Sequence, residues 1–364
     1  MKLKIGYVSP DFHTHSVAYF IEPLLKAHNK EEFELFGYYN NSKTDGTSVR
    51  LREYFDGWQE VDALSDIALA DKIYEDQIDI LVDLAGHSAN NRLGVLARKP
   101  APIQATWLGY PNTSGLSTVD YRITDAIADP IGESDALNTE SLIRLDDGFL
   151  CYQGDDSIPV ISSIPFDQKG YFTFGSFNNN VKITSEVIKV WADILLSVPN
   201  AKLIMKSNQL SDQHTKIRCQ EMFSAQGIAP DRLILSGMLP SATDHMAYYG
   251  EVDLALDPFP YNGTTTTFEA LWMGVPTLTY SGNVHACRVG ASIVSRIGLE
   301  DYVAYSPEDY IALAVKKSSS LNELRQLRRS LRSRMLSSKL CDSAAFAHQI
   351  ETAYQNMWRV YCQN

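Results

Sequence analysis

The chain has 364 residues, a formal net charge of −12 and 45% hydrophobic residues, which suits a globular protein of two ordinary domains. Because binding to a phosphate backbone needs a broad basic surface, the negative charge argues against a nucleic-acid partner. No apolar run is long enough to cross a membrane, and the first residues have the pattern of a strand and not that of a signal peptide, so we expect a cytoplasmic protein.

The five cysteines are scattered through the chain and form no Cys-x-x-Cys pair. This spacing favours free thiols over a disulfide framework or a structural zinc site. The sequence also lacks Asp-x-Asp, His-Glu-x-x-His, Gly-x-Gly and the phosphate-binding loop of NTPases. We therefore expect no metal ion and no other cofactor.

The first predicted strand, residues 4–9, ends in a polar loop that carries Asp11, His13 and His15, and a helix follows it. Ligands of open parallel sheets bind at the carboxyl ends of strands, so this loop is a candidate site. A helix N-terminus disfavours imidazolium and would keep the ring of His15 available as a base. A simple helix-capping role for His15 is an equally good interpretation.

A helix is predicted over residues 66–75 and a strand over residues 78–84, and the loop after this strand contains His87. A further strand leads into a loop with Trp107 and Tyr110, which we interpret as core residues. Strands that alternate with helices predict a lobe built on a parallel sheet. The fold class is therefore α/β.

Between about residues 148 and 169 the pattern changes to Gly, Asp, Ser and Pro, a composition typical of a linker. We expect an N-terminal lobe over residues 1–165 and a C-terminal lobe over residues 166–342. Residues 343–364 have the pattern of an amphipathic helix, which we expect to pack back on the first lobe.

In the second lobe, Lys182 lies in the loop between a strand and a helix that begins after Thr184. A lysine at a helix N-terminus opposes the helix dipole unless an anion offsets both charges. This mismatch favours a phosphate-binding role for Lys182. Later, Arg288 is either a phosphate ligand or an ion-pair partner, and the arginines at positions 325–334 are interpreted as a solvated helix face.

A short buried strand that ends at Asp257 is followed by turn-forming residues and then by four threonines, residues 264–267. Successive N–H groups and hydroxyls at a helix start suit a phosphate or a diphosphate. The structural alternative is a capping box with Thr266 as the N-cap and Glu269 three residues later, which would not explain the four threonines. Without a metal ion, a leaving diphosphate would depend on this helix start and on Lys182.

Five motifs, at residues 9–16, 86–91, 102–113, 175–182 and 257–267, closely resemble the catalytic region of SPINDLY proteins and O-linked N-acetylglucosamine transferases, glycosyltransferase family 41. The resemblance runs from residue 4 to residue 362. It implies a GT-B fold, with two Rossmann-like lobes facing a central cleft and the nucleotide-sugar donor in the C-terminal lobe. It also implies metal-independent, inverting transfer to Ser or Thr hydroxyls of proteins or peptides.

The resemblance also implies roles for single residues. Lys182 corresponds to the lysine that grips the donor diphosphate, Glu269 to the acidic residue on the ribose, and His15, with Asp11 close by, to the expected general base. The expected donor-binding residues are Asn179, Lys182, His245, Gly263, Thr264, Thr265, Thr266, Thr267, Glu269, His285 and Arg288. The expected residues of the acceptor side or the cleft are His13, His87, Tyr110 and Pro111.

The threonine run and the later Asn-Val-His-Ala stretch, residues 283–286, match SPINDLY proteins, whereas N-acetylglucosamine transferases have His-Thr-Thr-Gly at the phosphate helix. Plant SPINDLY proteins are O-fucosyltransferases, so GDP-fucose is favoured over UDP-N-acetylglucosamine. The helical repeats that present acceptors in this family are absent from the sequence, which suggests either a fragment or a minimal enzyme. A sugar-nucleotide epimerase, a transferase with a small acceptor and a silent nucleotide-sugar-binding module are alternatives.

Overall fold

The structure is a computed structural model that describes residues 2–363. Its contacts divide the chain into two compact units. The first unit contains the chain up to Gln153 together with the segment from Lys339 onward, and the second unit is Gly154–Ser338. Residues 154–165 therefore group with the second unit, where Trp272 Nε1 donates a hydrogen bond to the carbonyl oxygen of Asp155.

Within the described residues, the first unit contains a seven-stranded sheet in the order β3-β2-β1-β4-β5-β6-β7. Each neighbouring pair of these strands is parallel. The strands are β1 (Leu3–Ser9), β2 (Phe33–Tyr39), β3 (Gly57–Glu60), β4 (Ile80–Asp83), β5 (Ile103–Thr106), β6 (Tyr121–Asp125) and β7 (Ser141–Leu145). The chain reverses its direction of winding between β1 and β4, which is where ligands bind in such sheets.

The helices that follow these strands are α1 (Ser16–Ala27), α2 (Gly46–Arg52), α3 (Asp66–Glu75) and α4 (Leu93–Leu96). On α1, side chains such as Phe20, Ile21 and Leu24 are completely or almost completely buried. Burial of this apolar face contributes more to the stability of α1 than intrinsic helix propensity does.

In the second unit, the described part of the chain forms a six-stranded sheet in the order β10-β9-β8-β11-β12-β13. Its strands are β8 (Thr173–Ser176), β9 (Lys202–Lys206), β10 (Leu233–Ser236), β11 (Leu254–Leu256), β12 (Thr277–Tyr280) and β13 (Val303–Ala304), and all pairs are parallel. The predicted α/β class with two parallel-sheet lobes is confirmed.

The helices of the second unit are α5 (Phe166–Lys169), α6 (Ser185–Ser197), α7 (Gln213–Ser224), α8 (Ala242–Ala247), α9 (Thr265–Trp272), α10 (Val289–Ser295), α11 (Pro307–Ser319) and α12 (Leu321–Leu336). Thr184 caps α6, since its hydroxyl accepts a hydrogen bond from the N–H of Val187. The last helix, α13 (Ser343–Gln363), belongs to the first unit.

A buried polar network joins α13 to the first unit. Glu351 on α13 lies 3.0 Å from Nδ1 of His28, at the end of α1. The hydroxyl of Tyr7, on β1, lies 3.1 Å from the hydroxyl of Tyr354 and 2.9 Å from Nε2 of His28. Because buried polar groups are costly when unpaired, this network fixes the position of α13 on the sheet.

The interpretation of the arginines on α12 as a solvated face is wrong for two of them. Arg328 is 1% exposed and donates to the carbonyl oxygens of Val252 and Tyr249. Arg332 is also buried and donates to the carbonyl oxygen of Trp272. These guanidinium groups satisfy carbonyl groups inside the second unit, so they have a structural role.

The five cysteines are free thiols, as predicted. Across residues 2–363, no helix is both long and apolar enough to pass through a membrane.

Candidate functional site

The polar turn between β11 and α9 is the centre of the candidate site. Helix α9 begins at Thr265, and its N-cap, Thr264, makes no capping hydrogen bond with its side chain. Throughout the described chain, no hydrogen bond engages the backbone N–H groups of Thr265 or Thr266. These donors, at the positive end of the helix dipole, are available to an anion.

The capping-box alternative is therefore wrong. The N-cap is Thr264 instead of Thr266, and Glu269 makes its hydrogen bonds with other elements. The hydroxyls of Thr266 and Thr267 are used within the protein, because they donate to the side chain of Asn178 and to the carbonyl oxygen of Gly263, respectively. The groups that this helix start leaves available to an anion are thus mainly backbone N–H donors.

Gly263 sits where a side chain would not fit. A Cβ atom there would lie 2.3 Å from the hydroxyl of Thr266 and 2.8 Å from Oδ1 of Asn178. Its N–H donates a hydrogen bond of 2.6 Å to Asp257, the residue that follows β11. The absence of a side chain at residue 263 is what allows the turn to close against the first turn of α9.

Lys182 reaches this turn from the loop after β8. Its Nζ donates a hydrogen bond of 2.7 Å to the carbonyl oxygen of Asn262 and lies 3.9 Å from the centre of the Tyr261 ring. Burial lowers the pKa of Lys182 to about 8, although the charge of Asp257 opposes this shift. An anion at the turn would favour the ammonium form.

Asn179 is exposed, and its side chain accepts a hydrogen bond of 3.0 Å from the N–H of Val181. It thereby caps the short 3-10 turn Asn180–Lys182 that carries the lysine. The hydrogen bonds described for this loop do not involve its amide N–H₂ group. This group is therefore compatible with a contact to a nucleotide-sugar donor.

A second polar cluster lies along α8 and α9. Nε2 of His245 is 2.9 Å from Glu269, and the hydroxyl of Tyr249 donates to the same carboxylate at 3.2 Å. Lys206, at the end of β9, contacts Nδ1 of His245. The structure thus brings together Glu269, which the resemblance assigns to the ribose, and His245, another of the expected donor-binding residues.

The sequence analysis did not identify Lys206 as a member of this polar cluster. It is 7% exposed, and burial lowers its pKa, whereas the charge of Glu269 opposes this effect. The available signal was its place at the carboxyl end of a strand in a parallel sheet, where ligand-binding residues collect.

The loop that contains His285 and Arg288 borders the turn between β11 and α9. Asn262 donates from its N–H to the carbonyl oxygen of Ala286 and accepts a bond from the N–H of Gly290. His285 is buried in the short turn His285–Cys287, and Nε of Arg288 donates to the carbonyl oxygen of Gly282. Both residues therefore lie near the site, and the described contacts of Arg288 support the loop.

In the first unit, Asp11, His13 and His15 cluster at the end of β1. His15 is the N-cap of α1, since its Nδ1 accepts a hydrogen bond of 3.3 Å from the N–H of Val17. The same nitrogen lies 3.6 Å from Oδ1 of Asp11. Burial lowers the pKa of His15, and it raises the pKa of Asp11. With Nδ1 occupied by the cap, the neutral ring carries its proton on Nε2.

His13 packs edge-on against His15, with ring centres 5.7 Å apart. Its Nδ1 is buried and makes no hydrogen bond with any residue between 2 and 363. A buried ring nitrogen without a partner is uncommon, which makes His13 a candidate ligand-binding group.

His87 and Tyr110 also lie together in the first unit. Their ring centres are 5.1 Å apart, and Nε2 of His87 lies 2.8 Å from the carbonyl oxygen of Ser114. Pro111 follows in the same half-buried loop. Trp107 is buried, as predicted, whereas Tyr110 is only half-buried.

The two units define the GT-B class of glycosyltransferase fold. Sucrose-phosphate synthase of Thermosynechococcus elongatus has this fold with a TM-score of 0.60 at 10% identity, over 99% of this chain and 100% of that chain. An O-GlcNAc transferase variant of Thermobaculum terrenum is far more similar, with a TM-score of 0.94 and 39% identity over 100% of this chain and 68% of that chain.

The sequence model of glycosyl transferase family 41 matches residues 1–160 and 167–350. The chain therefore belongs to this family, as predicted. A SPINDLY protein of Petunia hybrida is 43% identical over 99% of this chain, and the SEC protein of Arabidopsis thaliana is 30% identical over the same share. The chain spans 39% of the length of the petunia protein and 38% of the Arabidopsis protein.

Proposed function

We propose that this protein is an inverting glycosyltransferase that moves a sugar from a nucleotide-sugar donor to Ser or Thr hydroxyls of proteins. The observation that carries the proposal is the start of α9, where the N–H groups of Thr265 and Thr266 meet the turn to which Lys182 is bound. Membership of glycosyltransferase family 41 supports the same class of reaction.

In the proposed reaction, the acceptor oxygen attacks the anomeric carbon of the sugar while the bond to the diphosphate breaks. The leaving diphosphate gains negative charge, which the N–H groups at the start of α9 and the ammonium group of Lys182 would stabilise. We propose that these groups take the place that a divalent cation has in other glycosyltransferases. Transfer that is unchanged by a chelator would agree with this part of the proposal, and complete loss would contradict it.

The proton of the acceptor hydroxyl requires a base, and His15 is the proposed one. Its lowered pKa keeps the ring neutral near pH 7, which is the form that accepts a proton. A neutral ring with its proton on Nε2 offers only Nδ1 as an acceptor. Catalysis by Nε2 would require the ring proton to lie on Nδ1. The ring would then give up the capping bond from Val17, and the carboxylate of Asp11, 3.6 Å away, would stabilise the proton.

For the donor, the threonine run at residues 264–267 resembles SPINDLY proteins and favours GDP-fucose. The names of the SPINDLY relatives refer to UDP-N-acetylglucosamine, which is therefore the alternative donor. Glu269 and His245 are proposed to contact the ribose and the base of either nucleotide. Titration calorimetry with GDP and with UDP would separate the two donors, because the tighter nucleotide identifies the base.

Activity is tested by incubating the protein with each donor and a mixture of protein acceptors. The proposal predicts release of the nucleoside diphosphate and a gain of sugar mass on Ser or Thr residues. If neither the nucleoside diphosphate nor the added sugar mass appears with either donor, the proposal is contradicted. Isomerisation of the donor without an acceptor would instead indicate an epimerase, and tight nucleotide binding without turnover would indicate a binding module.

A further inference from the structure

The first unit contains a buried carboxylate that ties three parts of its sheet together. Asp83, at the end of β4, is 1% exposed. It accepts hydrogen bonds of 2.7 Å from the N–H of Gly86 and 3.0 Å from the hydroxyl of Thr106, at the end of β5. The carboxylate therefore holds the turn after β4 against the neighbouring strand.

The second unit repeats this arrangement. Asp257 follows β11 and is also 1% exposed. It accepts hydrogen bonds of 2.6 Å from the N–H of Gly263 and 2.7 Å from the hydroxyl of Thr279 on β12. We call each of these a carboxylate clamp, formed by Asp83, Gly86 and Thr106 in the first unit and by Asp257, Gly263 and Thr279 in the second.

The register of the strands shows that the two clamps occupy equivalent positions. Ile80 on β4 pairs with Ile5 on β1, the first strand of its unit, and Leu254 on β11 pairs with Phe174 on β8, the first strand of the other unit. Asp83 lies three residues after Ile80, and Asp257 lies three residues after Leu254. The equivalence extends to the residue that directly precedes Ile80 in one strand and Leu254 in the other. Asp79 and Asp253 each accept a hydrogen bond of 2.8 Å from a backbone N–H of the neighbouring strand.

The second clamp differs from the first in what it holds. Its Gly263 belongs to the turn whose Asn262 carbonyl oxygen binds Lys182 and whose far side is the start of α9. We propose that Asp257 is a positioning residue for the donor diphosphate: it fixes the Asn262–Gly263 turn so that Lys182 and the first N–H groups of α9 face one anion. This inference rests on the proposed function and adds a residue to its donor site.

The surroundings of Asp257 agree with a structural tie that is not itself a phosphate ligand. Burial raises its pKa to about 7, against the effects of the N–H of Gly263, the hydroxyl of Thr279 and the charge of Lys182. The ionisable groups that face it from other elements are Lys182, Cys287 and Tyr310. Both oxygens of this carboxylate already accept hydrogen bonds, and an ionised carboxylate has no proton to donate to a phosphate.

The test measures the affinity for GDP and for UDP in wild-type protein and in Asp257→Asn, Thr279→Val and Thr279→Ser. Valine removes the hydroxyl that donates to Asp257, whereas serine keeps it, so this pair isolates the clamp with little change in volume. Asp83→Asn breaks the equivalent clamp of the first unit and is the control for a general loss of stability. Thermal unfolding confirms that each variant is folded at the temperature of the titration.

For the nucleotide that wild-type protein binds more tightly, we expect at least a tenfold loss of affinity in Asp257→Asn and a loss of several-fold in Thr279→Val. Thr279→Ser and Asp83→Asn should bind within twofold of wild type. Because the clamp acts on the diphosphate, Asp257→Asn should also reduce the preference for the nucleoside diphosphate over the corresponding monophosphate, which a purely structural role would leave unchanged.

Wild-type affinity in folded Asp257→Asn and Thr279→Val would overturn this inference and leave the proposed function intact. An equal loss of affinity in Asp83→Asn would also overturn it, because the effect would then be general. If the wild-type protein binds neither GDP nor UDP, the proposed function fails, and this inference fails with it.

Discussion

The ammonium group of Lys182 donates a hydrogen bond of 2.7 Å to the backbone carbonyl oxygen of Asn262, 80 residues later in the chain. This bond joins the loop after β8 to the turn before α9. It holds a positive charge on the turn that leads into α9, close to the positive end of that helix's dipole, and this arrangement is unfavourable in the absence of an anion. The two residues therefore form the structural basis of the proposed diphosphate site.

Lys182→Ala should reduce transfer roughly a hundredfold or more, or about 3 kcal/mol, the effect of removing one preorganised charge. The measurement is the initial rate of nucleoside diphosphate release at saturating donor. Lys189→Ala is the matched control, since Lys189 is an exposed lysine on α6. Near-normal turnover of Lys182→Ala would exclude this lysine from the reaction.

The pH dependence of transfer should have an alkaline limb caused by Lys182. Burial lowers its pKa to about 8, so the free protein loses the ammonium group as the pH rises through this value. The ratio kcat/KM, which reports the free enzyme, should fall above about pH 8. The residual activity of Lys182→Ala should lack this limb, and an unchanged limb in that variant would assign it to another group.

The two roles of His15 can be separated by substitution. Asparagine is a good N-cap, so His15→Asn should keep α1 stable but remove the proposed base. We expect the transfer rate to fall by about 10²-fold or more, with nucleotide affinity and thermal stability close to wild type. His15→Ala should lose both functions, at an additional cost of about 1 kcal/mol in stability. Full transfer by His15→Asn would show that His15 is only a cap.

The carboxylate of Glu269 should contribute to nucleotide affinity through the ribose. Glu269→Gln should weaken binding about tenfold, since hydrogen bonds to a charged group contribute about 1.5–3 kcal/mol. The control is a nucleotide that lacks the ribose 2′ and 3′ hydroxyls, whose affinity should be similar for both proteins. An equal effect on both nucleotides would indicate that Glu269 only orders His245 and Tyr249.

Arg328 and Arg329 are neighbours on α12 but should differ in their effect on stability. Arg328→Ala leaves the carbonyl oxygens of Val252 and Tyr249 without their donor, and we expect it to lower the free energy of unfolding by about 3 kcal/mol. Arg329→Ala, at an exposed position, should change it by less than about 0.5 kcal/mol. Similar values from chemical denaturation of the two variants would contradict the assigned role of Arg328.

Much of this fold is visible in the sequence because its signals are local. The strand predicted at residues 4–9 corresponds to the observed β1, Leu3–Ser9, and the helix predicted at residues 66–75 is the observed α3. Short apolar runs followed by polar loops also locate the carboxyl ends of the strands, where Lys182 and the threonines lie. The resemblance to a known family then added roles to these positions.

The remaining features depend on contacts that are distant in sequence. The burial of Arg328 requires carbonyl groups 76 and 79 residues away, which no helical pattern reveals. The capping box failed because His245 and Tyr249 bind the carboxylate of Glu269. Asp257 could be recognised as the end of a strand, but its role as a clamp depends on Thr279 in the next strand.

The most direct test is a crystal structure of the protein with GDP or UDP, whichever binds more tightly. The account predicts that phosphate oxygens lie about 3 Å from the N–H groups of Thr265 and Thr266 and from Nζ of Lys182. A diphosphate bound elsewhere, or a side chain closing the start of α9 in the complex, would contradict it.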